Sequence, residues 1–336
     1  MTLRSSFPIV SILILVSFIF SSCAPNSKPE TQHETTVQTT SVNKTPIVIP
    51  EFNGDSAYKF VQQQVDFGPR IPGTESHKNC ASWLDQKLRS FSFDVTVQKG
   101  VATTFDKKRY NIYNIIGSYN PHINDRILLC AHWDTRPFAD RDEGENKNKV
   151  FDGANDGGSG VGVLLEVARQ LNLNKPEIGV DIIFFDLEDY GDSGDDESWC
   201  LGSQYWAKNL HQPGYFARFG ILLDMVGAKD ATFPKEGTSR HFASGVVDKV
   251  WSSAKEAGYS NYFIDKNSNP TTDDHLFVNR DANIPCIVVV DYNVYDRDYF
   301  PHHHRVTDNM ENIDRQTLNA VGQTMLKVLF EESAMP

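Results

Sequence analysis

Residues 47–336 are predicted to form an α/β domain, with a doubly wound, mixed but mostly parallel sheet and helices on both faces. Short apolar runs alternate with segments of helical spacing, which is the pattern of parallel strands joined by crossover helices. The run 180–185 is apolar throughout, as expected of a parallel strand that is buried on both faces. This part of the chain is long enough for one large domain with a substantial core.

The expected elements follow in order along this domain. Helices are predicted at 57–65, 80–88, 160–171, 202–210, 244–257 and 315–330, and strands at 113–116, 127–130, 180–185, 219–223 and 285–290. Helix 160–171 has the clearest signal, because its apolar residues from Val161 to Ala168 recur at helical spacing. The Gly-Gly-Ser segment before it offers a flexible start and an N-cap.

Acidic residues and a histidine follow several of the predicted strands. His132 and Asp134 end one apolar run, and Asp156 lies in the Gly-rich segment that follows. The pair 188–189 and Asp224 come directly after two further runs. Because ligands of open α/β sheets bind at the carboxyl ends of the strands, these side chains are expected to meet there. Nitrogen and oxygen donors of this kind bind Zn²⁺, so the pattern predicts a zinc site.

Each of these residues also has a simpler interpretation. A lone histidine such as His132 is often a core residue, but Asp134 lies on the same side of an extended segment and can hold the imidazole. Asp156 taken alone is typical of a turn, and the pair 188–189 is typical of a solvated loop. The acidic run 192–197 is interpreted as a solvated loop rather than a calcium site.

The first 22 residues are predicted to be a secretory signal peptide. Arg4 precedes the apolar run 9–20, and small residues lead to Cys23, whereas the rival interpretation, a membrane span, needs a longer run. The Phe-Ser-Ser-Cys segment resembles a bacterial lipobox, which implies a lipid on Cys23. Residues 23–46 are expected to form a lipidated, disordered tether, rich in Ser, Thr, Asn, Gln and Pro. We therefore expect an exported bacterial lipoprotein, either periplasmic or anchored in the outer membrane.

Charge and cysteine content narrow the remaining function classes. The net charge of −12 argues against a nucleic-acid partner, because phosphate binding needs a basic surface. The domain has four cysteines, Cys80, Cys130, Cys200 and Cys286. In an exported protein they could form disulfides in three alternative pairings. Buried free thiols are an equal expectation for those in apolar runs.

With these residues in place, the chain resembles the clan of zinc aminopeptidases and, more closely, the glutaminyl cyclases (glutaminyl-peptide cyclotransferases) that share their fold. The resemblance covers residues 60–329. The motifs that carry it are Phe67–Gly73, His132-x-Asp134, Gly153–Asp156, Glu188–Asp189, Leu201–Ser203, Asp224, and His304 four residues before Asp308–Asn309. It implies a zinc aminopeptidase-like fold for the catalytic domain.

The resemblance also implies a zinc ion held by Asp156, Asp189 and His304. An aspartate at 189 departs from the glutamate that is usual there, although it still offers a carboxylate. His132 and Asp224 match the ligands of a second zinc ion in the aminopeptidases. Since the cyclases keep such residues while using one zinc, the number of zinc ions stays open.

Two features favour the cyclase. The segment Asp273-Asp274-His275 stands where aminopeptidases usually have Ser-Asp-His, and residues 132–138 resemble bacterial cyclases. The implied reaction turns the N-terminal glutamine of a peptide into pyroglutamate and releases ammonia. Glu188 would move the proton, while Asp224 and Asp273 would orient the reacting groups. An apolar wall that excludes water is expected from Trp133, Trp199, Tyr299 and Phe300.

Two other functions fit the same residues less well. In a zinc aminopeptidase or related exopeptidase, Glu188 would activate a water that hydrolyses the N-terminal peptide bond. A non-catalytic lipoprotein that binds peptides is the third candidate. The complete set of acids and histidines disfavours it, because a site without catalysis has no physical need for them.

Overall fold

The computed structural model describes residues 48–334, which lie in one compact unit. The predicted signal peptide and the whole predicted tether 23–46, with its predicted lipid on Cys23, lie outside these residues. The helices of the described part are α1 (Gly54–Val65), α2 (Glu75–Ser90), α3 (Gly158–Asn174), α4 (Leu201–Lys208), α5 (Gly237–Glu256), α6 (Asp274–Ala282) and α7 (Arg315–Ser333). Its strands are β1 (Asp94–Thr103), β2 (Arg109–Tyr119), β3 (Arg126–His132), β4 (Gly179–Phe185), β5 (Phe219–Asp224), β6 (Phe233–Lys235), β7 (Phe263–Asn267), β8 (Cys286–Val290), β9 (Tyr292–Asn293) and β10 (Asp298–Tyr299).

The central sheet has six strands in the order β1-β2-β4-β3-β5-β8. Strands β4, β3, β5 and β8 pair in parallel, and β2 is antiparallel to both of its neighbours. Helices α1, α3, α5 and α7 pack together over β3, β5 and β8, whereas α4 and α6 contact each other and the sheet separately. The predicted doubly wound, mostly parallel sheet is confirmed. Two small ladders, β6–β7 and β9–β10, lie outside it.

Strand β3 is the topological switch point of the sheet. The chain runs from β3 through α3 to β4 on one side, and then from β4 through α4 to β5 on the other side. Open α/β sheets bind their ligands in the crevice that such a reversal leaves at the carboxyl ends of the strands. A site is therefore expected near His132, the last residue of β3.

Two glycines bring the start of α3 close to the sheet. Gly157 has a φ of +40°, and a Cβ there would lie 2.8 Å from the carbonyl oxygen of His132. A Cβ on Gly160 would lie 2.2 Å from the carbonyl oxygen of Leu223. Glycine avoids the steric cost of the left-handed backbone at Gly157, and only glycine leaves room for the close backbone contact at Gly160. Asp156, directly before Gly157, is thereby held against the end of β3.

The structure contains each predicted helix and strand, with several of them longer than expected. Strand β1, helix α6 and the short strands of the two small ladders were not predicted from the sequence. The segment 273–275 begins α6, where the side chain of Asp273 accepts a hydrogen bond from the backbone of Asp274. Helix α5 has non-helical φ and ψ angles at Ala243, and the predicted helix 244–257 corresponds to the part after this kink.

The four cysteines of the described part are buried free thiols, so they do not pair in any of the three possible ways. Within residues 48–334, no helix combines the length and the apolar character that a membrane crossing needs.

Candidate active site

The predicted functional residues meet at the carboxyl edge of the parallel strands. His132 ends β3, Asp224 ends β5, and Glu188 and Asp189 lie in the turn after β4. Asp134 fixes this turn, because its carboxylate oxygens accept hydrogen bonds from the backbone N–H groups of Glu188 at 3.0 Å and Asp189 at 3.2 Å. Asp134 therefore holds the acidic pair in place. Its Oδ1 also lies 3.6 Å from the Nδ1 of His132.

The three residues predicted to bind zinc come together. The Nε2 of His304 lies 2.9 Å from the Oδ1 of Asp189 and 3.5 Å from the Oδ2 of Asp156. In the described part of the chain, neither of these buried oxygens accepts a hydrogen bond of good geometry, although the His304 nitrogen faces both. Buried carboxylate oxygens are normally satisfied, so atoms left over beside an imidazole fit a cation. An imidazole nitrogen and two carboxylates are ligands that zinc accepts.

A further carboxylate, Asp140, orients His304 and was not predicted from the sequence. The Oδ1 of Asp140 lies 3.3 Å from the Nδ1 of His304, and its Oδ2 lies 2.6 Å from the Nη2 of Arg136. Carboxylates in this position fix the ring of a metal-binding histidine. Burial alone would lower the pKa of His304, but the Asp189 and Asp140 carboxylates outweigh it and raise the pKa to about 9.

The residues proposed for a second zinc ion form an adjoining cluster. The Nε2 of His132 lies 3.0 Å from the Oδ1 of Asp156 and 3.2 Å from the Oδ1 of Asp224. One oxygen of Asp156 thus faces His132 while the other faces His304. Both predicted ligand sets are assembled, and they share Asp156.

Three carboxylates in or beside these clusters have raised pKa values. Burial raises the pKa of the partly buried Glu188 well above its usual range, although nearby His132 opposes the shift. Burial raises the pKa of Asp224 to about 6. Burial and the neighbouring Asp224 raise the pKa of Asp273 to about 7. Acids with pKa values near the working pH suit proton transfer and hydrogen-bond donation.

These residues line a cavity of about 480 Å³, a volume typical of small-molecule sites. The walls include the predicted Trp199 and Tyr299 together with the loop 270–273. The Trp199 ring stacks near His304, with a centroid distance of 6.1 Å, and lies 4.8 Å from the guanidinium carbon of Arg136.

Trp133 and Phe300, by contrast, lie in the core instead of the cavity wall. Trp133 is fully buried, stacks on His77 at 4.4 Å and donates its indole N–H to the carbonyl of Tyr113. Successive side chains of an extended segment point to opposite faces, so with His132 at the site its neighbour points away. Phe300 is buried in the main hydrophobic cluster.

Several residues of the site were not predicted to belong to it. They include Arg141, His303, Cys200 and Thr271, besides Asp140. The Nδ1 of His303 lies 2.7 Å from an Nη1 of Arg141, and its Nε2 lies 3.8 Å from Asp156. His303 is therefore held by the arginine, whereas His304 faces the orphaned oxygens. This agrees with the spacing to Asp308–Asn309, by which the resemblance selects His304 among the adjacent histidines.

Comparisons with known proteins support the fold and indicate the family. The chain is similar to the crystal structure of a Porphyromonas gingivalis glutaminyl cyclase, with 51% identity and a TM-score of 0.82 over 84% of this chain and 99% of the other. A structure described as a Zn-dependent exopeptidase from Parabacteroides distasonis has 48% identity, a TM-score of 0.82 and the same coverage.

Two more distant relatives are glutaminyl-peptide cyclotransferases. The glutaminyl-peptide cyclotransferase of Bos taurus is 24% identical over 299 residues, which are 78% of each chain. The match to the Drosophila melanogaster enzyme of that name, at 27% identity, covers 49% of this chain and only 46% of that protein. The sequence profile of Peptidase family M28 matches residues 114–329, which include every residue of both ligand clusters. The chain belongs to Peptidase family M28.

Proposed function

We propose that the protein is a zinc-dependent glutaminyl-peptide cyclotransferase, which converts the N-terminal glutamine of peptides or proteins into pyroglutamate and releases ammonia. The observation that carries the proposal is the position of Glu188 in one cavity with the zinc-binding residues and with two further acids, Asp224 and Asp273. Similarity to bacterial glutaminyl cyclases at 50% identity over 84% of the chain supports the same activity.

The cofactor is zinc, in agreement with the family and with the related exopeptidase structure. Asp156, Asp189 and His304 would hold it, because the unpaired Oδ2 of Asp156 and the unpaired Oδ1 of Asp189 both face the Nε2 of His304. When bound, the ion supplies Lewis acidity to the carbonyl oxygen of the substrate's side-chain amide.

Glu188 has two tasks in this reaction. Its carboxylate accepts a proton from the substrate's α-amine as that nitrogen bonds to the carbon of the side-chain amide. It then gives the proton to the amide nitrogen, whose bond to the same carbon breaks, so that ammonia leaves. The raised pKa of Glu188, caused by burial, suits a group that must take and return one proton.

Asp224 and Asp273 orient the amide nitrogen that leaves. Because their pKa values are raised to about 6 and about 7, each carboxyl can accept or donate a hydrogen bond near neutral pH. Trp199 and Tyr299 cover the cavity with aromatic surface. By limiting access of water they favour attack by the substrate's own amine over hydrolysis.

One observation favours an aminopeptidase as the second candidate. His132, Asp156 and Asp224 form a complete additional set of metal donors within 4.8 Å. In that reaction Glu188 would activate a water for attack on the N-terminal peptide bond.

The product from a peptide that begins with glutamine separates the two candidates. We expect a pyroglutamyl peptide and ammonia, measured by mass spectrometry and an ammonia assay. The same peptide with an acetylated N-terminus should not react, because its α-nitrogen is no longer a nucleophile. Release of free glutamine would contradict the cyclase and establish a peptidase.

We also propose that the protein is exported and tethered to a membrane by a lipid on Cys23, on the evidence of the short apolar run and the Ser-Ser-Cys that ends it. Acyl chains supply the binding energy of such anchors. A Cys23→Ser variant should be found in the soluble fraction or remain unprocessed. Equal membrane retention of this variant, with its apolar segment still attached, would indicate an uncleaved anchor instead.

A further inference from the structure

The thiol of Cys200 lies against the proposed proton-transfer group. Cys200 is fully buried, and its Sγ lies 3.2 Å from the Oε1 of Glu188, a distance at which the thiol donates a hydrogen bond. The backbone joins the same two residues, because the N–H of Cys200 donates to the carbonyl of Glu188 at 2.9 Å. The N–H of Leu201 donates to the carbonyl of Leu187, also at 2.9 Å.

Within residues 48–334, the Cys200 thiol is the one protein group that donates a hydrogen bond to the Glu188 carboxylate. Asp134 contacts the backbone N–H of Glu188 and not its side chain. A carboxylate oxygen of Glu188, the Sγ of Cys200 and a carboxylate oxygen of Asp273 lie within 4.8 Å of one another. The thiol therefore lies among the acids of the proposed site.

The backbone of Cys200 has a conformation in which a side chain carries a steric cost. Its φ of 57° and ψ of 36° are left-handed, a conformation in which glycine avoids the steric cost that a Cβ brings. Buried cysteine usually acts as a small apolar residue. A hydrogen bond to a catalytic carboxylate would give the thiol a role beyond this packing.

We propose that Cys200 is a positioning residue, whose thiol donates to the Oε1 of Glu188 and fixes the direction of that carboxylate in the cavity. The proposal rests on the proposed function, in which Glu188 takes and returns a proton. Oε2 of Glu188 has no protein donor in the described residues, so it is the oxygen that meets the substrate. Cys200 itself forms no bond with the substrate.

Three substitutions at this position separate a hydrogen bond from a packing role. Cys200→Ser keeps a donor and should retain most of the turnover. Cys200→Gly relieves the left-handed backbone but removes the donor. We expect it to fold at least as stably as the unaltered protein, while kcat falls roughly 10- to 100-fold, the worth of a hydrogen bond to a charged group. Cys200→Ala should lose similar activity and also some stability.

Zinc content and KM should stay unchanged in the serine and glycine variants, because Cys200 belongs to neither ligand cluster. Cys80→Ala is the matched control. Cys80 is another buried free thiol, on α2, and its loss should affect stability but not kcat. A zinc-loaded Cys200→Gly protein with unaltered kcat would overturn the proposal.

A spectroscopic measurement keeps this test independent of the proposed reaction. If the unaltered protein forms no pyroglutamyl product, the proposed function fails, and the hydrogen bond can still be examined by Raman spectroscopy. The S–H stretching band of Cys200, assigned by its absence in Cys200→Ser, should shift in Glu188→Ala because its acceptor is gone. A band that stays in place would show that no such hydrogen bond exists.

Discussion

Strand β3 begins in one buried charged cluster and ends in another. At its start, Arg126 forms an ion pair with Asp181 of β4, with Nε–Oδ2 and Nη2–Oδ1 distances of 2.7 Å. Asp181 also accepts hydrogen bonds from the hydroxyl groups of Tyr215 at 2.8 Å and Ser118 at 2.6 Å. Each oxygen of this buried carboxylate therefore has two donors.

The cluster at the other end of β3 is not satisfied in this way. The Nδ1 of His132, the Oδ2 of Asp156 and the Oδ1 of Asp189 are buried and have no hydrogen-bond partner in the described part of the chain. Leaving buried polar atoms without partners is costly, so a fold keeps them where something else binds. The comparison teaches that protein groups alone satisfy the buried charges at the start of β3, whereas the cluster at its end keeps atoms that fit a ligand.

The largest effect is expected from removing a ligand at the unsatisfied end. His304→Ala should lose zinc and with it all zinc-dependent turnover, measured by elemental analysis after dialysis and by the product assay. His303→Ala is the matched control, since that ring is held by Arg141. Retention of zinc by the His304 variant and its loss from the His303 variant would reverse the assignment.

Glu188→Gln should change chemistry without changing metal binding. Glutamine has nearly the same shape but cannot take the amine's proton, so kcat should fall by roughly 10²- to 10⁴-fold, the usual contribution of general acid–base catalysis. Zinc content and the thermal unfolding curve provide the controls. Near-normal turnover in a zinc-loaded variant would show that another group moves the proton.

Asp181→Ala tests the satisfied end of the same strand. It leaves Arg126 buried without its carboxylate, and breaking a buried pair of this kind costs about 3–5 kcal/mol. Chemical denaturation should show that loss in the free energy of unfolding. Under conditions where the variant is folded, its zinc content and kcat should be close to normal. Selective zinc loss from a folded variant would mean that the two clusters are coupled.

The smallest effect belongs to Tyr215→Phe. It removes one of the four hydrogen bonds to Asp181 and leaves the ring in place, which should lower the free energy of unfolding by about 1 kcal/mol. The measurement is again chemical denaturation, with an unaltered product assay as control. A loss as large as that of Asp181→Ala would show that the cluster acts as one indivisible unit.

Much of the fold was predictable because its signals are local. A buried parallel strand is apolar throughout, as in β4, and α3 has helical spacing with glycines before it. Strand β1 was missed because its residues alternate between exposed and partly buried on an edge. Helix α6 was missed because nine residues give too short a pattern to distinguish from a loop.

The sequence by itself determined which strands are followed by acidic residues or a histidine. Because parallel strands end at one edge of the sheet, His132, Asp189 and Asp224 lie together there. Only the tertiary structure decided that Trp133 stacks on His77 in the core and that Arg141 holds His303 beside the predicted ligand His304. The tertiary structure likewise placed Asp140 behind His304 and Cys200 against Glu188. The physical reason is that strand direction and periodicity act over a few residues, whereas these contacts join loops whose paths depend on the packing of the whole domain.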